Sequence, residues 1–169
     1  MFRTPTIALI CAAALSATPA LAQSMTAKQY VTKAGASDLY EKQSSMLVMQ
    51  STTDPKIKQF AQQMITDHTD STNQVKAAAK QAHMTVAPPH LDAMQSGNMA
   101  KLRAAHGASR DAMYIDQQKT SHQMALQVQQ DYANNGTVAP LKTAAAAIVP
   151  VVQSHIDMLN NMGTAGSTM

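Results

Sequence analysis

From Asp54 onward the chain repeats apolar residues at helical spacing with hardly a break: Ile57, Phe60, Ala61, Met64, Ile65, Val75 and Ala79, with His68 among them. Those intervals put all eight on one face of a helix of 3.6 residues per turn. Asp54-Pro55 starts it, a capping carboxylate followed by the residue whose fixed φ suits the first helical position. No stretch alternates apolar and polar residues with period two, so no strand is expected. Such a stripe has to be buried against other helices.

Three more long segments read the same way. The first helix spans about Thr26 to Ser51, with Tyr30, Ala34, Glu41 and Val48 on one face and Leu39, Met46 and Leu47 widening it. The second ends near Ala82 or His83, before the breaker Ala87-Pro88-Pro89-His90. Leu91 to Arg103 reads as a short helix, and His106-Gly107-Ala108-Ser109 as a turn in which Ser109 caps the next element. The third long helix, about Arg110 to Ala133, carries Met113, Tyr114, Gln117, Ser121, Met124 and Val128. Asn134-Asn135-Gly136 closes it with residues that tolerate a left-handed backbone. The fourth, about Val138 to Met162, aligns Leu141, Ala145, Ile148, Val152, His155 and Leu159, and Pro150 predicts a kink within it. Two hairpins of long helices joined by a crossover at 84–109 predict an all-α fold, a four-helix bundle of the ferritin-like kind.

The ends of the chain point to export. Arg3, the apolar run Ile7–Ala17 and Ala20-Leu21-Ala22 read as a secretory signal over residues 1–22, cleaved after Ala22. That run is too short to span a bilayer, which takes roughly 20 apolar residues. Residues 23–162 form the expected domain, and 163–169 a polar tail expected to be disordered. The expected compartment is the periplasm. Cys11, the one cysteine, lies in the leader, so disulfides and thiolate sites are excluded from the rest. The net charge of +3 is spread over scattered residues. Nucleic-acid binding wants a clustered basic stripe and is not expected. A protein or the cell envelope is the kind of partner left.

The inner faces hold polar residues. His68 and His155 fall on core stripes, His122 on the margin of one, and Glu41 shares a face with Tyr30, Ala34 and Val48. One reading has Glu41, His68, His122 and His155 converging as ligands for Cu, Zn or Fe, with Asp67 as a further ligand or an orienting partner. The other has them hydrogen-bonded to one another as a buried polar network. Glu41 is the only glutamate. The di-iron pattern of such bundles needs a glutamate from two helices and Glu-x-x-His from two more, so a ferroxidase of that type is not expected. There is no Gly-x-Ser-x-Gly elbow and no phosphate-cradling glycine loop. The chain is therefore read as non-enzymatic. Asp38, Asp70, Asp111 and Asp116 read as surface or capping groups, and His83, His90 and His106 as exposed. Among the 13 methionines, Met46, Met49, Met94 and Met99 would form an exposed apolar patch if the protein were a methionine-rich interaction module.

The run Asp54-Pro55-Lys56-Ile57-Lys58-Gln59-Phe60-Ala61-Gln62-Gln63-Met64-Ile65-Thr66-Asp67-His68-Thr69 resembles an exported bacterial family catalogued as domain of unknown function 4142. Tyr114 with His122 eight residues on, Pro150 with His155 five on, and Glu41 in the first helix extend the resemblance over about Gln29 to Asn160. It implies a ferritin-like fold and an exported protein. It also implies one inner polar cluster of Glu41, Asp67, His68, Tyr114, His122 and His155, with no catalytic role attached. The combined expectation is a periplasmic helical-bundle binding protein, stress- or envelope-associated, with metal binding and a methionine-rich interaction surface as alternatives.

Overall fold

The computed structural model describes residues 24–164; the leader read over 1–22 and the last residues of the tail, 165–169, lie outside them. Among the described residues there are five helices and no strand: α1 (Ala27–Met49), α2 (Pro55–Gln81), α3 (Ala93–Ala104), α4 (Gly107–Asn135) and α5 (Ala139–Thr164). No described helix is long and apolar enough to cross a membrane.

Capping sets three of the starts. Thr26 and Gln29 form a reciprocal box before α1, and Asp92 and Gln95 form another before α3. Asp54 accepts from the amides of Lys56 and Ile57 with Pro55 in the first turn of α2. Because Asp92 is the cap, α3 starts at Ala93, not at Leu91.

Of the expected turn at 106–109, residues 107–109 are helix instead, and His106 precedes them in extended conformation. α4 begins at Gly107, which supplies a φ of +53°, and Ser109 caps nothing. The cause is Arg110, which is buried. Its Nε donates to the carbonyls of Leu102 (3.0 Å) and Ala105 (2.8 Å), and its Nη1 to Ser51 Oγ (2.9 Å). A cation that satisfies the open carbonyls of α3 draws the two helix ends together.

Gly136 also departs from expectation. Its φ of −62° is ordinary, not left-handed. Its role is steric, since a Cβ there would lie 2.5 Å from the Tyr132 carbonyl and 2.7 Å from its ring. That ring cannot yield, being stacked on Tyr30 with centroids 4.1 Å apart. α5 runs through Pro150, which sits on its exposed side, and on to Thr164.

α1 pairs with α2 and α4 with α5; α1 also packs on α4 and α2 on α5, and α3 rests on α1 and α4. The core falls into two apolar clusters along the long axis. One holds Tyr30, Val75, Tyr132, Leu141 and Ile148; the other holds Tyr40, Ile57, Phe60, Met64, Tyr114 and Leu159. Between the stretches that feed the two clusters lie the buried polar residues Asp38, His68, Ser71, Gln118, His122 and His155, with Glu41 one residue past Tyr40. The fold thus sandwiches one polar layer between two greasy ones.

Candidate metal centre

Every polar member of this layer occupies a helical core position. In α1 the buried stripe is Val31, Ala34, Asp38, Glu41, Ser45 and Val48, and in α4 it is Tyr114, Gln118, His122, Ala125, Gln129 and Tyr132. The α4 stripe sits round the helix from the one expected. Met113, Gln117, Ser121 and Val128 are only half-buried and Met124 is exposed. His122 is therefore central to its face, with no exposed surface.

His68, His122 and His155 converge. One ring nitrogen from each lies within 4.8 Å of the other two. The ring centroids are 5.5 Å apart for His68–His122 and His68–His155, and 5.2 Å for His122–His155. Phe60 packs beside this group, its centroid 6.3 Å from His122 and 6.5 Å from His155. All three imidazoles are 4 % exposed or less.

The outward nitrogen of each ring is already committed. His68 Nδ1 donates to Asp38 Oδ1 at 2.9 Å, His122 Nδ1 to the Gln118 carbonyl at 2.9 Å, and His155 Nε2 to Asp67 Oδ2 at 2.9 Å. Carbonyl and carboxylate oxygens only accept, so these nitrogens carry the protons. The inward nitrogens of the neutral rings are then bare lone pairs. His122 Nε2 and His155 Nδ1 face each other at 3.2 Å, and His68 Nε2 is buried with no hydrogen-bond partner among the described residues. Three acceptors turned toward one another without a donor are unfavourable unless a cation stands among them. The pattern of an imidazole whose far N–H is held by a carboxylate or carbonyl is that of a metal-ligating histidine.

The electrostatics agree with neutral rings at two positions. Burial holds His155 down to about 4, with the neighbouring histidines adding to the effect against the Asp67 hydrogen bond. Burial likewise lowers His122, opposed by Glu41. Burial works on His68 in the same sense, but its hydrogen bond to Asp38 and the nearby carboxylates outweigh it and its pKa is raised.

Two of the three carboxylates, Asp38 and Glu41, are not where the sequence put them. Asp38, read as a surface group, is 4 % exposed and orients His68; Thr72 Oγ1 donates to its second oxygen at 3.0 Å, and Lys42 Nζ donates to Thr72 at 3.0 Å. Glu41, read as a ligand, stands behind His122. It lies 3.9 Å from Nδ1, the nitrogen that faces away from the other rings, and it accepts from Ser121 Oγ at 2.6 Å. It is not among the groups whose ligand atoms meet within 4.8 Å, and its Oε2 is buried with no hydrogen-bond partner among the described residues. Asp67 is an orienting partner, 27 % exposed at the side chain, and is where the layer meets solvent.

Tyr114 is buried, but its hydroxyl pairs with Ser45 at 2.7 Å and with no member of the triad. Asp70 and Asp116 are exposed as expected, whereas Asp111 is half-buried and accepts from Thr52. His83, His90 and His106 are exposed. The proposed methionine patch does not form: Met46 and Met94 are exposed, Met49 is half-buried and Met99 is 2 % exposed, packed under α3.

A family model described as domain of unknown function DUF4142 matches residues 12–162. No curated protein matches the chain. Among solved structures, a DUF305 protein from Streptomyces coelicolor is similar at 14% identity with a TM-score of 0.67, over 81% of this chain and 90% of that one. CopM in its Cu(II)-bound form is similar at 16% identity with a TM-score of 0.65, over 83% of this chain and 97% of that one. At such identities the likeness is one of fold.

Proposed function

The chain belongs to the DUF4142 family, and we propose that this member binds one transition-metal ion through His68, His122 and His155. The observation that carries the reading is the set of three inward ring nitrogens within 4.8 Å of one another, each ring aimed by an outward hydrogen bond. A tetrahedral ion with Zn–N bonds of about 2.0–2.1 Å needs its donors roughly 3.4 Å apart. The His122–His155 pair already meets that spacing at 3.2 Å, and His68 closes the remainder by side-chain adjustment. Three neutral imidazoles with Asp38 and Asp67 behind them give a buried dication two compensating charges. That donor set suits Cu(II) and Zn(II), with Fe(II) behind them in the Irving–Williams order. The copper held by CopM, a protein of similar fold, is in keeping with this choice.

The reading is of binding without turnover. It includes the periplasmic setting read from residues 1–22 and the ferritin-like four-helix bundle, which the pairing of α1 with α2 and of α4 with α5 supports. The test is titration of chelator-stripped protein with Cu(II) and Zn(II) against a competing chelator. One equivalent should bind, His122→Ala should abolish it, and Asp38→Asn should weaken it about 10–100-fold by loosening His68. A wild type that takes up neither ion, or a His122→Ala variant that binds as well, would make the layer a structural network bridged by a proton.

A further inference from the structure

We infer that a groove between α1, α3 and α4 is a second metal site, exposed and soft, which takes a monovalent thiophilic cation on Met94, Met124 and His90. The groove encloses about 330 Å³, and these three side chains line it together with Tyr40, Gln95 and Ser121.

Three observations carry this. First, the exposed large apolar residues among those described are Met46 (50 %), Met94 (43 %), Met124 (44 %) and Val151 (38 %). Three of the four are thioethers, and two of those three share one groove. Met64 and Met99, by contrast, are buried and fill the core. Second, the groove is rigidly framed. The Asp92–Gln95 capping box fixes the first turn of α3, where Met94 sits, and Met99 and Leu102 anchor the same helix in the core. Gln117 ties α3 to the other helices, accepting from Tyr40 Oη at 2.8 Å and donating to the Asn98 carbonyl at 3.3 Å. The two methionines are thus presented from α3 and α4, which Gln117 ties together. Third, with no cysteine after Cys11, thioether sulfur is the softest donor the surface offers. Thioether with imidazole selects Cu(I), or its redox-inert surrogate Ag(I), over the harder divalent ions suited to the all-nitrogen triad. The two sites therefore differ in the ion they take.

The experiment uses the full exported chain. Cu(I) is titrated anaerobically against bicinchoninate into the His68→Ala/His155→Ala background, where the triad contributes nothing. One Cu(I) is expected to bind, and at least tenfold more weakly once Met94→Leu/Met124→Leu is added; leucine keeps the size and apolarity of both exposed positions. In parallel, the wild type labelled at its methionine methyl groups is titrated with Ag(I), which should shift the Met94 and Met124 resonances ahead of all others. Zn(II) uptake by Met94→Leu/Met124→Leu in the wild-type background should be unchanged. Equal Cu(I) affinity with and without the two methionines, or Ag(I) shifts that fall on other methionines or on none, would overturn the assignment. A triad that fails to bind metal would leave these readouts intact, so the two sites stand or fall separately.

Discussion

Saturating the stripped protein with Zn(II) is expected to raise its thermal unfolding midpoint by roughly 10–15 °C. An ion that binds only the folded state stabilises it by RT ln(1 + [L]/Kd), about 4 kcal/mol at a thousandfold excess over Kd. A domain of this size gains about 3 °C per kcal/mol. The triad is built for such coupling, because its three ligands come from α2, α4 and α5 and meet only when those helices are packed. The His68→Ala/His155→Ala variant should show no shift with the same ion. It should also be less stable than the wild type in the stripped state, since it leaves a cavity in the packed core and takes the hydrogen-bond donors from Asp38 and Asp67. Scanning calorimetry with and without Zn(II) reads both effects. An equal shift in the variant would mean that the ion binds elsewhere, and no shift in the wild type would remove the site.

Acid should destabilise the stripped protein, with the fall confined to a defined window. His155 titrates at about 4 in the fold against an ordinary 6.5, and His122 is lowered too. Between those values the unfolded chain binds protons that the folded one refuses, so stability drops as pH falls from about 6.5 toward 4. The His155 shift alone corresponds to at most about 3 kcal/mol across that window. His68 has the opposite sign. Its raised pKa adds stability that is complete below 6.5 and is lost as pH rises through the folded value, so it leaves the acid slope unaltered. Urea midpoints from pH 7.5 to 4 check this, and His155→Asn should flatten the curve. A midpoint that stays level in the wild type would mean that the rings are already protonated in the fold.

How much of this was legible in the sequence depends on whether a core position carried an apolar residue. α2 was readable almost to the residue because its stripe is apolar apart from His68 and Ser71. α4 was set on the wrong face because three of the six residues on its true stripe, Gln118, His122 and Gln129, are polar. The same blindness hid Asp38. Its spacing from Ala34 and Glu41 puts it squarely on the buried face of α1, and a reading that followed period before polarity would have found it.

The three histidines were legible because they lie on the inner faces of long helices. Periodicity fixes a face, however, and says nothing about which nitrogen of a ring a neighbour meets. That is why Glu41 was read as a ligand when it stands on the far side of His122. The start of α4 depends on Arg110 reaching back to carbonyls five and eight residues earlier and to Ser51, a long-range contact no local pattern announces.

The most direct measurement is X-ray absorption at the metal edge of the one-to-one complex formed by the wild type. The account predicts three imidazole nitrogens at about 2.0–2.1 Å, visible through their outer-ring scattering, and their disappearance in His122→Ala. A shell of oxygens alone, or a spectrum with fewer than three imidazoles that is the same in both proteins, would contradict it.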